Sequence, residues 1–205
     1  MNNTVILANG SFPKHNLAIK ILNEAETIIC CDGSINNLDR LNIVPTQIIG
    51  DMDSISNELK VKYRSKLIEI LDQDQNDLRK SINWLEQNNY KSAIILGATG
   101  SREDHSLGNI FTLLEYPAKI DLKIISNYGQ FTVINKKTKL RSFSGQQISL
   151  FSIDKEIKIS SNNLKYNLKN SNLKTLYSGT LNESKSDFIT INISHGSILI
   201  YQLFK

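Results

Sequence analysis

Short apolar runs alternate with stretches of helical spacing along the first 130 residues, the pattern of a parallel sheet whose strands are joined by crossover helices. The runs predict strands at residues 5–8, 27–31, 47–49, 67–71, 93–97 and 122–126. Between two of them, Leu78, Ile82 and Leu85 share one face of a helix. Several strands end at a glycine or a carboxylate: Gly10, Asp32-Gly33, Gly50-Asp51, Asp72 and Gly97. Ligands of open α/β sheets gather just beyond the carboxyl ends of the strands, so these positions are candidates for chemistry. After residue 130 the period changes to two, as in Phe188-Ile189-Thr190-Ile191-Asn192-Ile193, with turns at Ser144-Gly145 and His195-Gly196. That half reads as antiparallel β. Two domains, 1–130 and 131–205, joined near Asn127-Tyr128-Gly129, account for the change.

Composition sharpens the division. The 205 residues carry 24 basic and 20 acidic side chains, net +4. Residues 1–130 hold 13 basic and 16 acidic side chains, net −3, whereas 131–205 hold 11 and 4, net +7. With only 3 Pro, 10 Gly and 2 Cys, collagen-like, disordered and disulfide-rich classes are excluded. The N-terminus lacks the pattern of a signal peptide, and no apolar run reaches the length of a membrane span. Cys30 and Cys31 are adjacent in a strand and point to opposite faces, so they do not bridge each other. A soluble protein with reduced thiols, located in a cytoplasm and without membrane partners, is the expectation.

Carboxylates dominate the candidate chemistry. Asp51 and Asp53 follow the apolar Ile48-Ile49, and if the chain stays extended both face one side. Asp74 and Asp77 lie three apart at the start of the next helix and would share a face. Taken singly, each is ordinary: Asp74 would cap the helix, Asp77 would favour its positive end, and Asp-x-Asp is common turn material. Together they bring four carboxylates to one sheet edge, and their repulsion calls for cations. Hard oxygen donors suit Mg²⁺, which completes its shell with water and substrate phosphates. No His/Cys spacing suggests zinc.

A third segment, Gly97-Ala98-Thr99-Gly100-Ser101-Arg102-Glu103-Asp104-His105, follows the strand at 93–97. Its glycines permit a tight turn whose N–H groups meet phosphate oxygens, and Arg102 adds a cationic fork. It is not a P-loop, because no Gly-Lys-Ser/Thr closes it. Read as structure alone, Ser101 caps a helix and His105 supports it through hydrogen bonds.

These residues resemble the thiamine pyrophosphokinase (thiamin diphosphokinase) family. The matching pieces are Asp32-Gly33-Ser34, Gly50-Asp51-Met52-Asp53-Ser54-Ile55, Asp72-Gln73-Asp74-Gln75-Asn76-Asp77, and Gly100-Ser101-Arg102-Glu103-Asp104-His105 with Asn109. In the β half they are Leu164-Lys165-Tyr166-Asn167-Leu168 and Gly179-Thr180-Leu181-Asn182-Glu183. The resemblance implies an α/β fold. An N-terminal Rossmann-like domain, with a mostly parallel sheet and flanking helices, would bind ATP and metal; a C-terminal antiparallel β-sandwich would bind thiamine and dimerise. It implies pyrophosphoryl transfer from ATP to thiamine, giving thiamine diphosphate and AMP, with Mg²⁺ as cofactor, in a homodimer with active sites at the interface. Carried over by position, Asp51, Asp53, Asp77 and Asp104 are catalytic, and Asp51, Asp53 and Asp77 hold the metal. Asp32, Gly33, Asp74, Arg102, Asp104, His105 and Asn109 bind ATP. Tyr166 stacks on thiamine, with Thr180 and Asn182 as polar contacts. The family's Asp-Gly-Gly is Asp32-Gly33-Ser34 here, and Leu181 replaces a usual serine. Without its surrounding motif, an aromatic such as Tyr166 reads as core.

Two other functions compete. Carboxylates with Mg²⁺ serve nucleotide hydrolysis equally well. The basic β half would attract nucleic acid, although its lysines are scattered and lack the aromatic-basic pattern of RNA-reading sheets, so no nucleic-acid partner is expected.

Overall fold

The computed structural model describes residues 3–116 and 119–205. No helix among them is long and apolar enough to cross a membrane. Residues 3–112 and 119–127 form one compact unit, and residues 113–116 and 128–205 another. The division falls after Asn127 rather than at 130, and the 3₁₀ turn Leu113–Glu115 goes with the second unit.

In the first unit, β1 (Thr4–Leu7), β2 (Thr27–Cys31), β3 (Gln47–Gly50), β4 (Leu67–Glu69), β5 (Ser92–Leu96) and β6 (Asp121–Ile125) lie in the order β6-β5-β1-β2-β3-β4. Every pairing among them is parallel. β1 and β2 are buried at every position, as strands covered on both faces must be. The strand at 67–71 was expected to run into Asp72 but ends at Glu69, leaving Leu71 exposed. The helices are α1 (Asn16–Asn23), α2 (Ile35–Arg40), α3 (Asn57–Lys62), α4 (Asp77–Gln87) and α5 (Glu103–Thr112). On α4, Leu78, Ile82 and Leu85 are all buried, the stripe that their spacing predicts.

The second unit contains β7 (Gly129–Ile134), β8 (Thr138–Arg141), β9 (Gln147–Phe151), β10 (Ile159–Asn162), β11 (Gly179–Glu183), β12 (Phe188–Ile193) and β13 (Ile198–Leu203). They form two antiparallel arrays, β11-β9-β13-β7 and β10-β12-β8. Ile148, Leu150, Ile198 and Ile200 of the first array share one core with Ile159, Ile189, Ile191 and Ile193 of the second. Alternate residues of β12 enter that core, so the period of two in sequence is the period of burial. The α/β class with C-terminal antiparallel strands is the class expected.

Candidate active site

The carboxyl ends of β1 to β5 surround a cavity of about 640 Å³. β1 to β4 follow one another in one direction across the sheet, while β5 and β6 lie on the other side of β1. The cavity therefore includes a topological switch point, where the loops after β1 and β5 diverge. Those two loops are zipped together at their base: Gly10 N–H donates to Gly97 O (2.7 Å) and Ser11 N–H to Thr99 O (2.8 Å). A Cβ at Gly10 would stand 2.4 Å from Gly97 O, so this close approach requires glycine.

Three carboxylates converge on one side of the cavity. Asp32 follows β2 with a left-handed backbone (φ 34°). After β3 the chain does not stay extended, because Met52 is also left-handed (φ 65°). Asp51 and Asp53 thus meet through a tight turn, in which Asp53 N–H donates to Asp51 Oδ1 (3.3 Å), and not through strand periodicity. Ser54 ties the pair to Asp32: its N–H donates to Asp32 Oδ2 (3.2 Å) and its hydroxyl to Asp53 Oδ1 (2.7 Å). One oxygen from each of Asp32, Asp51 and Asp53 lies within 4.8 Å of the others. A side chain at Gly50 would break this arrangement, since its Cβ would fall 2.6 Å from Asp32 Cβ. Among the described residues, Asp32 Oδ1 is buried with no hydrogen-bond partner.

Their electrostatics differ. Burial pushes the Asp32 carboxyl above its ordinary range against the opposing bonds from Ser54. The Asp53 N–H bond holds Asp51 below that range. Asp77, the first residue of α4, is pushed up by burial; Lys80 opposes this and the charges of Asp51 and Asp53 add to it. Asp77 lines the cavity but bonds to Lys80 Nζ (3.3 Å), and it stands beside the three-carboxylate group, not within it. Of the expected trio of Asp51, Asp53 and Asp77, the first two lie in this close group together with Asp32, and Asp77 lines the same cavity beside them. Asp74 does not join them. Its exposed chain turns on an N–H bond to Asp72 Oδ1 (2.8 Å), and α4 is capped by Asn76, which accepts from Arg79 N–H (2.9 Å). Asp74 therefore lies before the helix and shares no helical face with Asp77.

From the third segment, Arg102, His105 and Asn109 line the cavity, and Asp104 does not. Gly97 and Gly100 both adopt positive φ, as the loop requires. The helix begins at Glu103, so Ser101 stands too early to cap it; Ser106 closes the loop by accepting from Gly100 N–H (3.3 Å) and donating to Arg102 O (2.8 Å). Arg102 grips Asp104 with two bonds, 3.1 and 2.6 Å, and this pairing pulls the Asp104 carboxyl down to about 2. Asn109 bridges two loops, donating to Ala98 O (2.9 Å) and accepting from Asn76 Nδ2 (3.2 Å). Gly33 is buried against Asn9 and Ser54 and acts as a spacer behind the carboxylates. Cys31 closes the cavity floor; its thiol contacts Ser81 (3.3 Å), and burial raises its pKa. Both cysteines are free, and burial lifts Cys30 to about 12.

In the second unit, Tyr166 is 64% exposed on a loop between β10 and β11, so it is not a core aromatic. Asn182 is 6% exposed and holds that loop from both sides: its Oδ1 accepts from Tyr166 N–H (3.1 Å) and its Nδ2 donates to Tyr166 O (2.8 Å). Its Oδ1 also accepts from Glu183 N–H (2.9 Å), so the amide is committed to positioning. Thr180 donates its hydroxyl to Tyr177 O (2.8 Å). Leu181 is left-handed (φ 58°) and exposed, at a register shift between β11 and β9.

Two family sequence models match the chain. Thiamin pyrophosphokinase, catalytic domain, matches residues 18–126, and thiamin pyrophosphokinase, substrate-binding domain, matches 129–201. The chain belongs to the thiamin pyrophosphokinase family. Among named relatives, thiamin pyrophosphokinase 1 of Caenorhabditis elegans is 33% identical over 49% of this chain and 45% of that protein. Thiamine pyrophosphokinase 1 of Oryza sativa subsp. japonica is 26% identical over 97% of this chain and 86% of that protein. A thiamine pyrophosphokinase structure from Bacillus subtilis shares the fold, with a TM-score of 0.82, 21% identity, and coverage of 98% and 99% of the two chains. One from Candida albicans gives a TM-score of 0.81 at 20% identity, covering 100% of this chain and 90% of that one. The relatives' names denote an enzyme class, and this chain is a member of it.

The carboxylate group falls within the thiamin pyrophosphokinase catalytic-domain match, and Tyr166 and Asn182 within the substrate-binding match. Two residues lining the cavity escaped the sequence reading: Asn9 and Lys80. The first flanks Gly10, a strand-end glycine already marked. Lys80 had a legible signal, since it follows Asp77 by three positions in a helix and so shares its face.

Proposed function

We propose that the chain transfers the pyrophosphoryl group of ATP to the hydroxyl of thiamine, giving thiamine diphosphate and AMP. The observation that supports this best is the convergence of Asp32, Asp51 and Asp53 on a switch-point cavity in a chain matching both thiamin pyrophosphokinase domains. The thiamine oxygen bonds to the β-phosphorus of ATP, and the bond from that phosphorus to the oxygen bridging it to the α-phosphorus breaks. The hydroxyl proton passes to a carboxylate of the cavity, and AMP departs with the bridging oxygen.

The residues fit Mg²⁺. The donors are hard oxygens, they are already within 4.8 Å of one another, and Asp32 Oδ1 is buried without a partner. Asp32, Asp51 and Asp53 would hold the ion, with Asp77 beside them. When bound, Mg²⁺ neutralises phosphate charge and stabilises the leaving group. Ser54 keeps two of the carboxylates in place. Arg102 and His105 would contact ATP from the start of α5, with Asp104 holding the Arg102 fork. Tyr166 would present its ring to the thiazolium cation, a favourable cation–π geometry, with Thr180 nearby and Asn182 as the support. A homodimer is the proposed working form, which sedimentation would register as twice 23.2 kDa.

An assay of AMP release from Mg·ATP with and without thiamine, with thiamine diphosphate followed in the same samples, tests the reaction. Thiamine-dependent AMP matched one for one by thiamine diphosphate is expected. AMP without thiamine would make the chain a nucleotide hydrolase, and no AMP in either sample would overturn the reading.

A further inference from the structure

Lys80 occupies a position that its own local structure does not favour. Its side chain is 3% exposed, yet it lines the cavity. Among the described residues, Nζ makes one hydrogen bond, to Asp77 Oδ1 at 3.3 Å, the long end of the range for a charged pair. Two of its three N–H donors are left over. Burying an ammonium group is costly unless its donors are matched. Lys80 also sits in the first turn of α4, where the positive end of the helix dipole repels a cation. The fold nonetheless keeps it there: the neighbouring Ser81 is fully buried against Cys31, and α4 packs on β2 and β3. The charge of Lys80 reaches Asp51 as well, helping to hold its carboxyl low.

An anionic ligand with several oxygens would satisfy the spare donors and relieve the burial at once. We propose that Lys80 is a phosphate-contacting residue, a fixed cation whose free N–H groups meet the β- or γ-phosphate oxygens of the nucleotide beside the carboxylate group. The proposal rests on the nucleotide-binding part of the function proposed above. A compact ammonium with rotatable donors suits a site where the phosphate group moves during transfer. The competing role is purely structural, in which Lys80 does no more than balance Asp77.

Binding of Mg·α,β-methylene-ATP, which lacks the scissile oxygen bridge, separates the two roles. Calorimetry on Lys80→Gln should show affinity for this analogue reduced about 10-fold or more, the loss of one charge-assisted contact, with AMP affinity unchanged. Equal affinity for the analogue in wild type and variant would overturn the proposal, as would equal losses for the analogue and AMP. Should Lys80→Gln fail to fold, ¹⁵N-lysine spectra of the wild-type chain provide the second measurement. The buried Lys80 ammonium signal should shift on adding the Mg·analogue and not on adding Mg²⁺ or AMP alone; an unmoved signal would sink the idea. Thiamine-dependent AMP formation by the wild type, run alongside, isolates the proposed reaction. If that fails while the Lys80 effects appear, the reaction is wrong and the phosphate contact stands.

Discussion

The carboxylate group of the first unit and the Tyr166 loop of the second are both polar constellations, but they are built on opposite principles. Around Asp32, Asp51 and Asp53 like charges are forced together, two residues take left-handed backbones, and a buried oxygen is left without a partner. Around Tyr166 the loop's N–H and C=O are both met by the buried Asn182, and only the ring is left facing water. The first arrangement stays unfavourable until something positive arrives. The second is complete by itself and presents one exposed aromatic ring, with Lys165 Nζ 5.9 Å from its centre. Substitutions should therefore separate the two: in the first region they should cost activity far more than stability, and in the second, replacing the buried Asn182 support should cost stability first.

The largest expected effect tests the first half of that contrast. Asp51→Asn or Asp53→Asn should lower thiamine-dependent AMP formation by about 1000-fold, the scale of losing a group that organises charge in a transition state. Melts of metal-free Asp53→Asn should be unchanged or higher, because its charge opposes ionisation of the neighbouring Asp77. Asp51→Asn should instead melt at or slightly below wild type at neutral pH, because the fold holds that carboxyl low. A variant that unfolds would show the carboxylates to be structural.

Next in size is the clamp. Asn182→Ala removes three part-buried hydrogen bonds, leaving the N–H and C=O of Tyr166 and the N–H of Glu183 without their partner, so the second unit should lose about 1–3 kcal/mol in a melt. An unchanged melting temperature would mean that water replaces the amide and that the loop needs no support. Smaller again is Tyr166→Ala, which should raise KM for thiamine about 10-fold, within the worth of a cation–π contact, and leave KM for ATP alone. Equal effects on both substrates would count against stacking.

The difference between the regions also explains what could be read from sequence. The parallel sheet was legible because its strands are apolar runs cut off by glycines and carboxylates, and their ends shift by only a residue or two. The β half was legible because burial on β12 follows the period of two. What local pattern does not carry is which strand ends become neighbours. Asp32 joins Asp51 and Asp53 because β2 lies beside β3 in the sheet, and the 19-residue separation in sequence gives no sign of that. Local turn chemistry misled in the other direction. Met52 takes a left-handed turn where an extended chain was expected, and Asn76, not Asp74, caps α4. The committed amide of Asn182 was likewise invisible, since its partner lies 16 residues away across a loop.

The smallest expected effect is the most direct probe of the unfavourable charge group, because it removes charge without removing shape. Burial raises Asp32 above its unfolded value, so its contribution to stability is fully present below the unfolded carboxyl range, at about pH 4, and is lost as pH rises through the folded value. Asp32→Asn keeps an oxygen to accept from Ser54 N–H but cannot ionise. In EDTA, the gap between the variant and the wild type should therefore shrink as pH falls from 7 toward about 4 and close only below that. The variant should melt higher at pH 7, by about 2–4 °C, the response of a chain this size to roughly 1 kcal/mol. Mg²⁺ should reverse the order at pH 7, since the wild type has the full set of charged oxygens to bind it and gains stability by mass action. If the variant melts lower than the wild type at pH 7 in EDTA, the Asp32 charge stabilises the metal-free fold, and the two regions do not differ in the way their hydrogen bonding implies.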